Sequence, residues 1–217
     1  MDSLSRTRIK ICGLTRPQDV SAACRMGADA VGFVCYEKSP RYVPAEGLAR
    51  LARELPPFVT PVLLFVDAAP EAVLGALESV PQALLQFHGH EGAAACGAFG
   101  RAYLRAVAMN PGVDLLDSER QFSTAAGLLA DAPGSSFGGS GQTFDWRALP
   151  PAGRRSKPLI LAGGLDAANV GAAIRAVRPF GVDVSSGVEA ERGVKSDKLM
   201  REFVSAVRAA DSGSDHG

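Results

Sequence analysis

Eight short apolar runs, each followed by a segment of helical character, predict a single-domain α/β fold. Over residues 1–217 it is a closed, parallel, eight-stranded (β/α)8 TIM barrel. Two further observations support that class. Several runs are continuously apolar rather than alternating, as parallel strands covered on both faces must be. The rival open sheet wants G-x-G-x-x-G after its first strand, and the chain reads Cys12-Gly13-Leu14-Thr15-Arg16 there.

The predicted strands are residues 8–12, 30–35, 61–66, 84–87, 103–107, 127–130, 159–162 and 182–184. Thr15-Arg16-Pro17 opens the first helical segment, with Thr15 at a cap-like position and Pro17 near the first turn. Pro44 opens the second and Pro70 the third. Residues 111–126 carry only a weak periodic signal for the helix the topology asks for. Asp166 is read as the start of a helix running to about Val177 and stopped by Pro179. Asp197 opens the last, to about Ala209. Cys12-Gly13-Leu14, then Val20, Ala22 and Ala23, is echoed by Gly163-Gly164-Leu165, then Val170, Ala172 and Ala173, as suits a barrel of like units. The polar ends, residues 1–7 and 211–217, read as frayed tails.

Composition narrows the function classes. A chain with 47% apolar and 21% charged residues reads as an ordinary globular protein rather than a disordered one. A formal net charge of zero gives no electrostatic reason to expect nucleic acid or an anionic membrane as partner. No stretch approaches the roughly 18 apolar residues needed to span a bilayer, and residues 1–7 lack a signal-peptide core. Cys12, Cys24, Cys35 and Cys96 form no C-x-x-C pair, and a core of this size needs no disulfide. The expectation is a cytoplasmic protein with free thiols. No His/Cys cluster has metal-ligand spacing, so neither metal nor cofactor is expected.

A barrel of this class reacts at the C-terminal ends of its strands, which ranks the candidates. Cys12 ends the first strand and suits a base or nucleophile; the alternative is a small buried hydrophobe. Arg41, in Ser39-Pro40-Arg41-Tyr42 after the second strand, suits bidentate capture of a carboxylate or phosphate, against the alternative of a solvated loop arginine. His88, in Gln86-Phe87-His88-Gly89, ends the fourth strand and either binds ligand or caps the strand. Asp131 ends the sixth strand and suits a general acid if burial raises its pKa. Its competitor Asp117 lies between the fifth and sixth strands and reads as a surface residue. Gly138-Gly139-Ser140-Gly141, Gly163-Gly164 and Ser185-Ser186-Gly187 follow the last three strands. Glycine lets backbone N–H groups crowd an anion and serine adds donors, so three such turns point to phosphate.

These motifs together resemble the phosphoribosylanthranilate isomerase family of tryptophan biosynthesis, nearly end to end. The resemblance is carried by Lys10-Ile11-Cys12-Gly13-Leu14-Thr15, Gly27-Ala28-Asp29-Ala30-Val31-Gly32-Phe33-Val34, Lys38-Ser39-Pro40-Arg41-Tyr42-Val43 and Gln86-Phe87-His88-Gly89. It continues through Gly138-Gly139-Ser140-Gly141-Gln142-Thr143-Phe144-Asp145-Trp146, Leu161-Ala162-Gly163-Gly164-Leu165 and Val182-Asp183-Val184-Ser185-Ser186-Gly187-Val188-Glu189. It implies a cofactor-independent Amadori rearrangement of N-(5-phosphoribosyl)anthranilate. Cys12 would be the general base and Asp131 the general acid. Arg41 would hold the anthranilate carboxylate, and His88 and Asp183 would touch substrate. The phosphate would rest on Gly139, Ser140, Gly141, Gly163, Gly164, Ser185, Ser186 and Gly187.

The departures from the family pattern are small. Leu128-Leu129-Ala130-Asp131 stands where the family usually has Leu-Leu-Leu-Asp, Asp67 where Asn often stands, and Phe87 where Leu usually precedes the histidine. Rival readings are another phosphosugar barrel, such as a dual-substrate isomerase serving histidine biosynthesis or indole-glycerol-phosphate synthase, and a phosphate-binding regulatory protein without catalysis. Cys12 argues against the first, because histidine-pathway isomerases usually carry Asp there, and Cys12 with Asp131 argues against the second. A monomer is expected over a dimer, with a small phosphosugar–anthranilate as the binding partner.

Overall fold

A computed structural model describes residues 6–133 and 143–213. Eight parallel strands close in sequence order into one barrel: β1 (Arg8–Cys12), β2 (Ala30–Val34), β3 (Thr60–Phe65), β4 (Leu84–Phe87), β5 (Tyr103–Ala108), β6 (Gly127–Asp131), β7 (Leu159–Leu161) and β8 (Gly181–Val184). The predicted strands all form, with boundaries shifted by a residue or so. Among the described residues, seven α-helices follow strands on the outside: α1 (Pro17–Arg25), α2 (Ala45–Ala52), α3 (Pro70–Ser79), α4 (Ala93–Gly97), α5 (Leu115–Gln121), α6 (Val170–Val177) and α7 (Asp197–Ser212).

Strand alternation sorts the side chains. Ile9 and Ile11 of β1, Leu85 and Phe87 of β4, and Val182 and Val184 of β8 point outward into the core shared with the helices. The intervening positions face the barrel axis, where Leu104, Ala106, Leu129, Ile160 and Ala162 fill the interior. Register at the closing seam sets Lys10 opposite Asp183, while Cys12 stands opposite Gly32. Inward polar groups at strand ends therefore converge on the C-terminal mouth.

Four local expectations are corrected. Thr15 does not cap α1: its hydroxyl donates to Gly193 O at 2.7 Å, and Arg16 occupies the cap position. Asp166 does not begin α6: its carboxylate accepts from Ala168 and Asn169 N–H in a turn, and the helix starts at Val170. Among the described residues between β6 and β7 there is no α-helix, only two 3-10 turns, Trp146–Ala148 and Ala152–Arg154. The ends read as frayed are partly tied down. Thr7 N–H and Oγ1 both reach Asp211 of α7, at 3.0 and 2.6 Å, and Arg6 pairs with Asp29.

A two-stranded hairpin, β9 (Glu189–Glu191) and β10 (Val194–Lys195), follows β8 and lies across the mouth. It is fastened to the β1–α1 loop by Thr15 and to α1 by Asp19, whose carboxylate accepts from Lys195 N–H at 3.1 Å. Among the described residues no helix is long and apolar enough to cross a membrane.

Candidate active site

A pocket at the C-terminal mouth is lined by Cys12, Arg41, His88, Asp131 and Asp183, together with Gly163, Gly164, Ser185 and Ser186. These residues lie on, or in the turns that follow, β1, β2, β4, β6, β7 and β8. Gly139, Ser140 and Gly141 lie outside the described residues. Gly187 does not line the pocket. A Cβ there would collide with Leu165 O, so close backbone packing requires this glycine.

At the β4–β6 side, His88 Nε2 lies 3.0 Å from Asp131 Oδ2, and Ala132 N–H donates to Oδ1 at 2.9 Å. Gln86 Nε2 stands 3.2 Å from His88 Nδ1. With the amide in that orientation, Nδ1 accepts and Nε2 carries the proton toward Asp131. Gln86 itself is fully buried and its Oε1 meets no hydrogen-bond partner among the described residues. Asp117, the competitor carboxylate, is exposed on α5 and paired with Arg120.

At the β1–β8 seam, Lys10 Nζ donates to Asp183 Oδ1 at 2.9 Å, with both side chains buried. Burial opposes the ammonium, but Asp183 and Cys12 outweigh it and hold Lys10 above the usual lysine range. Burial pushes the Cys12 thiol up from its ordinary value, and Lys10 is the largest influence opposing that rise. Beside Cys12, the side chains of Val34, Leu64 and Val66 with Tyr36 make an apolar wall. That wall suits the face of an aromatic ring.

Arg41 closes the site from the β2–α2 loop. Its Nε and Nη2 donate to the two oxygens of Glu189, each at 2.7 Å, in a fork-to-fork pair. Lys195 Nζ reaches the same carboxylate at 2.8 Å and Ser185 O at 3.0 Å. Burial works against the charge on Glu189, yet Arg41 and Lys195 hold it below the usual carboxylate range. Gly13 sits under this arm at φ 76°, and a Cβ there would run into Arg41 Cδ.

The late turns are shaped to approach a ligand by backbone. Gly163 and Gly164 both have positive φ, 83° and 60°, and a Cβ on Gly163 would collide with Ala132 N. Asn169 Nδ2 holds Gly164 O at 2.8 Å. Ser185 follows β8, and Ser186 begins a short 3-10 turn, Ser186–Val188. Among the described residues, no group of three or more His, Cys, Asp or Glu side chains forms a metal site.

Lys10, Gln86, Tyr36, Glu189 and Lys195 belong to this site although sequence reasoning assigns them no role. Lys10 and Gln86 are within its reach, since each sits two residues before an inward strand-end candidate and so shares its face. Glu189 carries no local signal, because its partner Arg41 is 148 residues away in the chain, and Lys195 joins the site through Glu189 and the Ser185 carbonyl.

The comparisons with known proteins agree on one family. Residues 9–206 match the family model described as N-(5'phosphoribosyl)anthranilate (PRA) isomerase. The chain is 56% identical over 207 residues to the N-(5'-phosphoribosyl)anthranilate isomerase of Methylibium petroleiphilum, covering 95% of this chain and 96% of that one. It is 54% identical to the Leptothrix cholodnii protein of the same name, covering 98% and 96%. Among solved structures, the Thermotoga maritima phosphoribosyl anthranilate isomerase superposes with a TM-score of 0.84 at 40% identity, covering 94% of this chain and 99% of that one. A structure of phosphoribosyl anthranilate isomerase in complex with reduced 1-(o-carboxyphenylamino)-1-deoxyribulose 5-phosphate matches at 36% identity and a TM-score of 0.77, covering 94% and 99%.

Proposed function

The chain belongs to the N-(5'-phosphoribosyl)anthranilate isomerase family, and from that membership we propose how the groups at its barrel mouth divide the reaction between them. The protein is an isomerase of tryptophan biosynthesis. It converts N-(5-phosphoribosyl)anthranilate to 1-(2-carboxyphenylamino)-1-deoxyribulose 5-phosphate. The family indicates no cofactor.

Asp131 acts as general acid. It gives a proton to the furanose ring oxygen as the C1–O bond breaks, and the anthranilate nitrogen supplies the electron pair that makes the Schiff base. Cys12, as thiolate, then takes the proton from C2. That electron pair forms the C1=C2 bond and neutralises the nitrogen, and tautomerisation of the enol leaves the ketone. Ring opening wants an acid and tautomerisation wants a base, on groups in different environments. The observation that carries this reading is the convergence of Cys12, Asp131 and Arg41 on one pocket with the turns after β7 and β8.

Arg41 holds the anthranilate carboxylate, with the apolar wall of Val34, Leu64 and Tyr36 under the ring. His88 and Asp183 contact the sugar. Gly163, Gly164, Ser185 and Ser186, with Gly139, Ser140 and Gly141 from outside the described residues, hold the phosphate; Gly187 packs behind them. A charged phosphosugar does not cross a bilayer unaided, which supports a cytoplasmic location.

The test is a turnover assay on phosphoribosylanthranilate generated in situ, with the histidine-pathway isomerase substrate in parallel. The purified protein is expected to turn over the first and not the second. Cys12→Ser is expected to lower kcat by about 100-fold or more while phosphate-ligand binding stays largely intact. Near-normal turnover by that variant would remove Cys12 from the role of base.

A further inference from the structure

Lys10 is a buried cation that the reaction scheme above leaves unused. It lies two residues before Cys12 on β1, so both side chains face the barrel interior. The position a Cβ on Gly32 would take lies 2.7 Å from Cys12 Sγ and 3.1 Å from Lys10 Nζ. The thiol and the ammonium therefore crowd the same small space, one that only glycine on β2 leaves open. Across the seam, Asp183 is Lys10's register partner and accepts from its Nζ at 2.9 Å.

Four charged groups act on Cys12 from the elements around it: Lys10 on β1, Asp183 on β8, Lys195 on β10 and Arg41 in the β2–α2 loop. Two of the three cations are committed elsewhere. Arg41 is forked onto Glu189, and Lys195 is held by Glu189 and by the Ser185 carbonyl. Of the three, Lys10 acts on the thiol most strongly, and its Nζ shares with Cys12 Sγ the gap at Gly32. A thiol in an apolar, buried setting resists ionisation, and a base must ionise to act. A nearby cation reduces that cost.

We propose that Lys10 is a positioning residue of the isomerisation, whose ammonium stabilises the Cys12 thiolate as it forms and is itself anchored by Asp183. Lys10 keeps its proton throughout; the thiol's proton leaves for solvent, and the thiolate takes up the substrate's C2 proton. The inference rests on Cys12 being the base, and the test separates the two ideas.

The measurement is the rate at which neutral iodoacetamide alkylates Cys12 in the folded protein at about pH 8, resolved by peptide mass spectrometry. The rate follows the thiolate fraction, which falls about tenfold each time the thiol becomes tenfold harder to ionise. Burial raises Cys35 to about 12 and Cys96 to about 11, so those thiols react slowly and serve as internal references. Lys10→Met is expected to slow Cys12 alkylation by about tenfold or more, with a matching loss in kcat and little change in KM. Asp183→Asn keeps Lys10 and removes the opposing carboxylate, so it is expected to speed alkylation severalfold. The second variant keeps the question answerable if Lys10→Met does not fold. Rates that stay at the unmutated value in both variants, or move in the same direction in both, would overturn the proposal. Slower alkylation in Lys10→Met with unchanged kcat would uphold the effect of Lys10 on the thiol and instead overturn Cys12 as base.

Discussion

His88 Nε2 stands 3.0 Å from Asp131 Oδ2 while the Ala132 N–H engages Oδ1 at 2.9 Å, so the Asp131 carboxyl is held by two donors at the end of β6. That arrangement receives the carboxylate left when Asp131 gives up a proton. Asp131→Asn keeps the shape and removes the acid. It is expected to lower kcat by about 100-fold to 10,000-fold. Asp117→Asn is expected to stay within about twofold, since Asp117 is exposed on α5 and paired with Arg120. Steady-state turnover of the two variants side by side decides between the carboxylates. The reverse order would move the general acid to Asp117.

Gly13 and Gly27 both hold positive φ, 76° and 94°, but only Gly13 lies beside a functional side chain. An alanine at Gly27 meets no atom within 4 Å. Each Gly→Ala change is expected to cost about 1–2 kcal/mol through backbone strain alone. Gly13→Ala should also displace the Arg41 arm and raise KM about tenfold, while Gly27→Ala should leave KM unchanged. Thermal unfolding with steady-state kinetics on both variants checks this. A Gly13→Ala enzyme with normal KM would show that Arg41 tolerates the intrusion.

The strands were legible because burial on both faces imposes runs such as Val31-Gly32-Phe33-Val34 and Val62-Leu63-Leu64-Phe65 that little else in a soluble protein requires. Cys12, Arg41 and Asp131 were legible because a barrel places its chemistry at strand ends. What stayed hidden depends on contacts across the fold. Thr15 has the chemistry of a helix cap, but tertiary structure gives its hydroxyl to Gly193 O on the mouth hairpin. Asp166 has the same chemistry and spends it on a turn that also positions Asn169 against Gly164 O. Glu189 and Lys195 look like ordinary surface charges until the hairpin folds back over Arg41.

Asp29, just before β2, is an acid-sensitive joint away from the mouth. It takes Arg6 Nη1 and Nη2 at 2.8 and 2.5 Å and the Ile9 N–H at 2.9 Å. Burial pushes its pKa up, but Arg6 and the Ile9 N–H outweigh burial, and the net shift is downward. A carboxylate whose folded pKa is depressed adds stability that is fully present above its unfolded pKa, about 3.9. That contribution fades as pH falls through the lower folded value. Asp29→Asn is therefore expected to cost about 1–2 kcal/mol at pH 7 and progressively less below about pH 4. Urea unfolding of both proteins at pH 7 and at about pH 3 tests it. An equal gap at both pH values would mean the loss is one of packing, not charge.

The Arg41–Glu189 fork assigns two edges of one guanidinium to different tasks. Nε and Nη2 are spent on Glu189, at 2.7 Å each, which leaves the Nη1 edge for a second anion in the pocket. Glu189 thereby sets the angle at which Arg41 meets a substrate carboxylate, and Lys195 keeps Glu189 ionised from the other side at 2.8 Å. Arg41→Lys keeps the positive charge but cannot make both contacts at once. It is expected to raise KM by about tenfold or more with a smaller effect on kcat, the pattern of lost binding common to ground state and transition state. Glu189→Gln keeps the shape, weakens the fork, and is expected to raise KM by about three- to tenfold in the same direction. Combining the two should cost less than the product of the separate effects, because both act on one guanidinium position. Steady-state kinetics on the two single variants and the double variant give the cycle. Fully multiplicative effects would mean that Glu189 serves the hairpin through Lys195 and has no part in aiming Arg41.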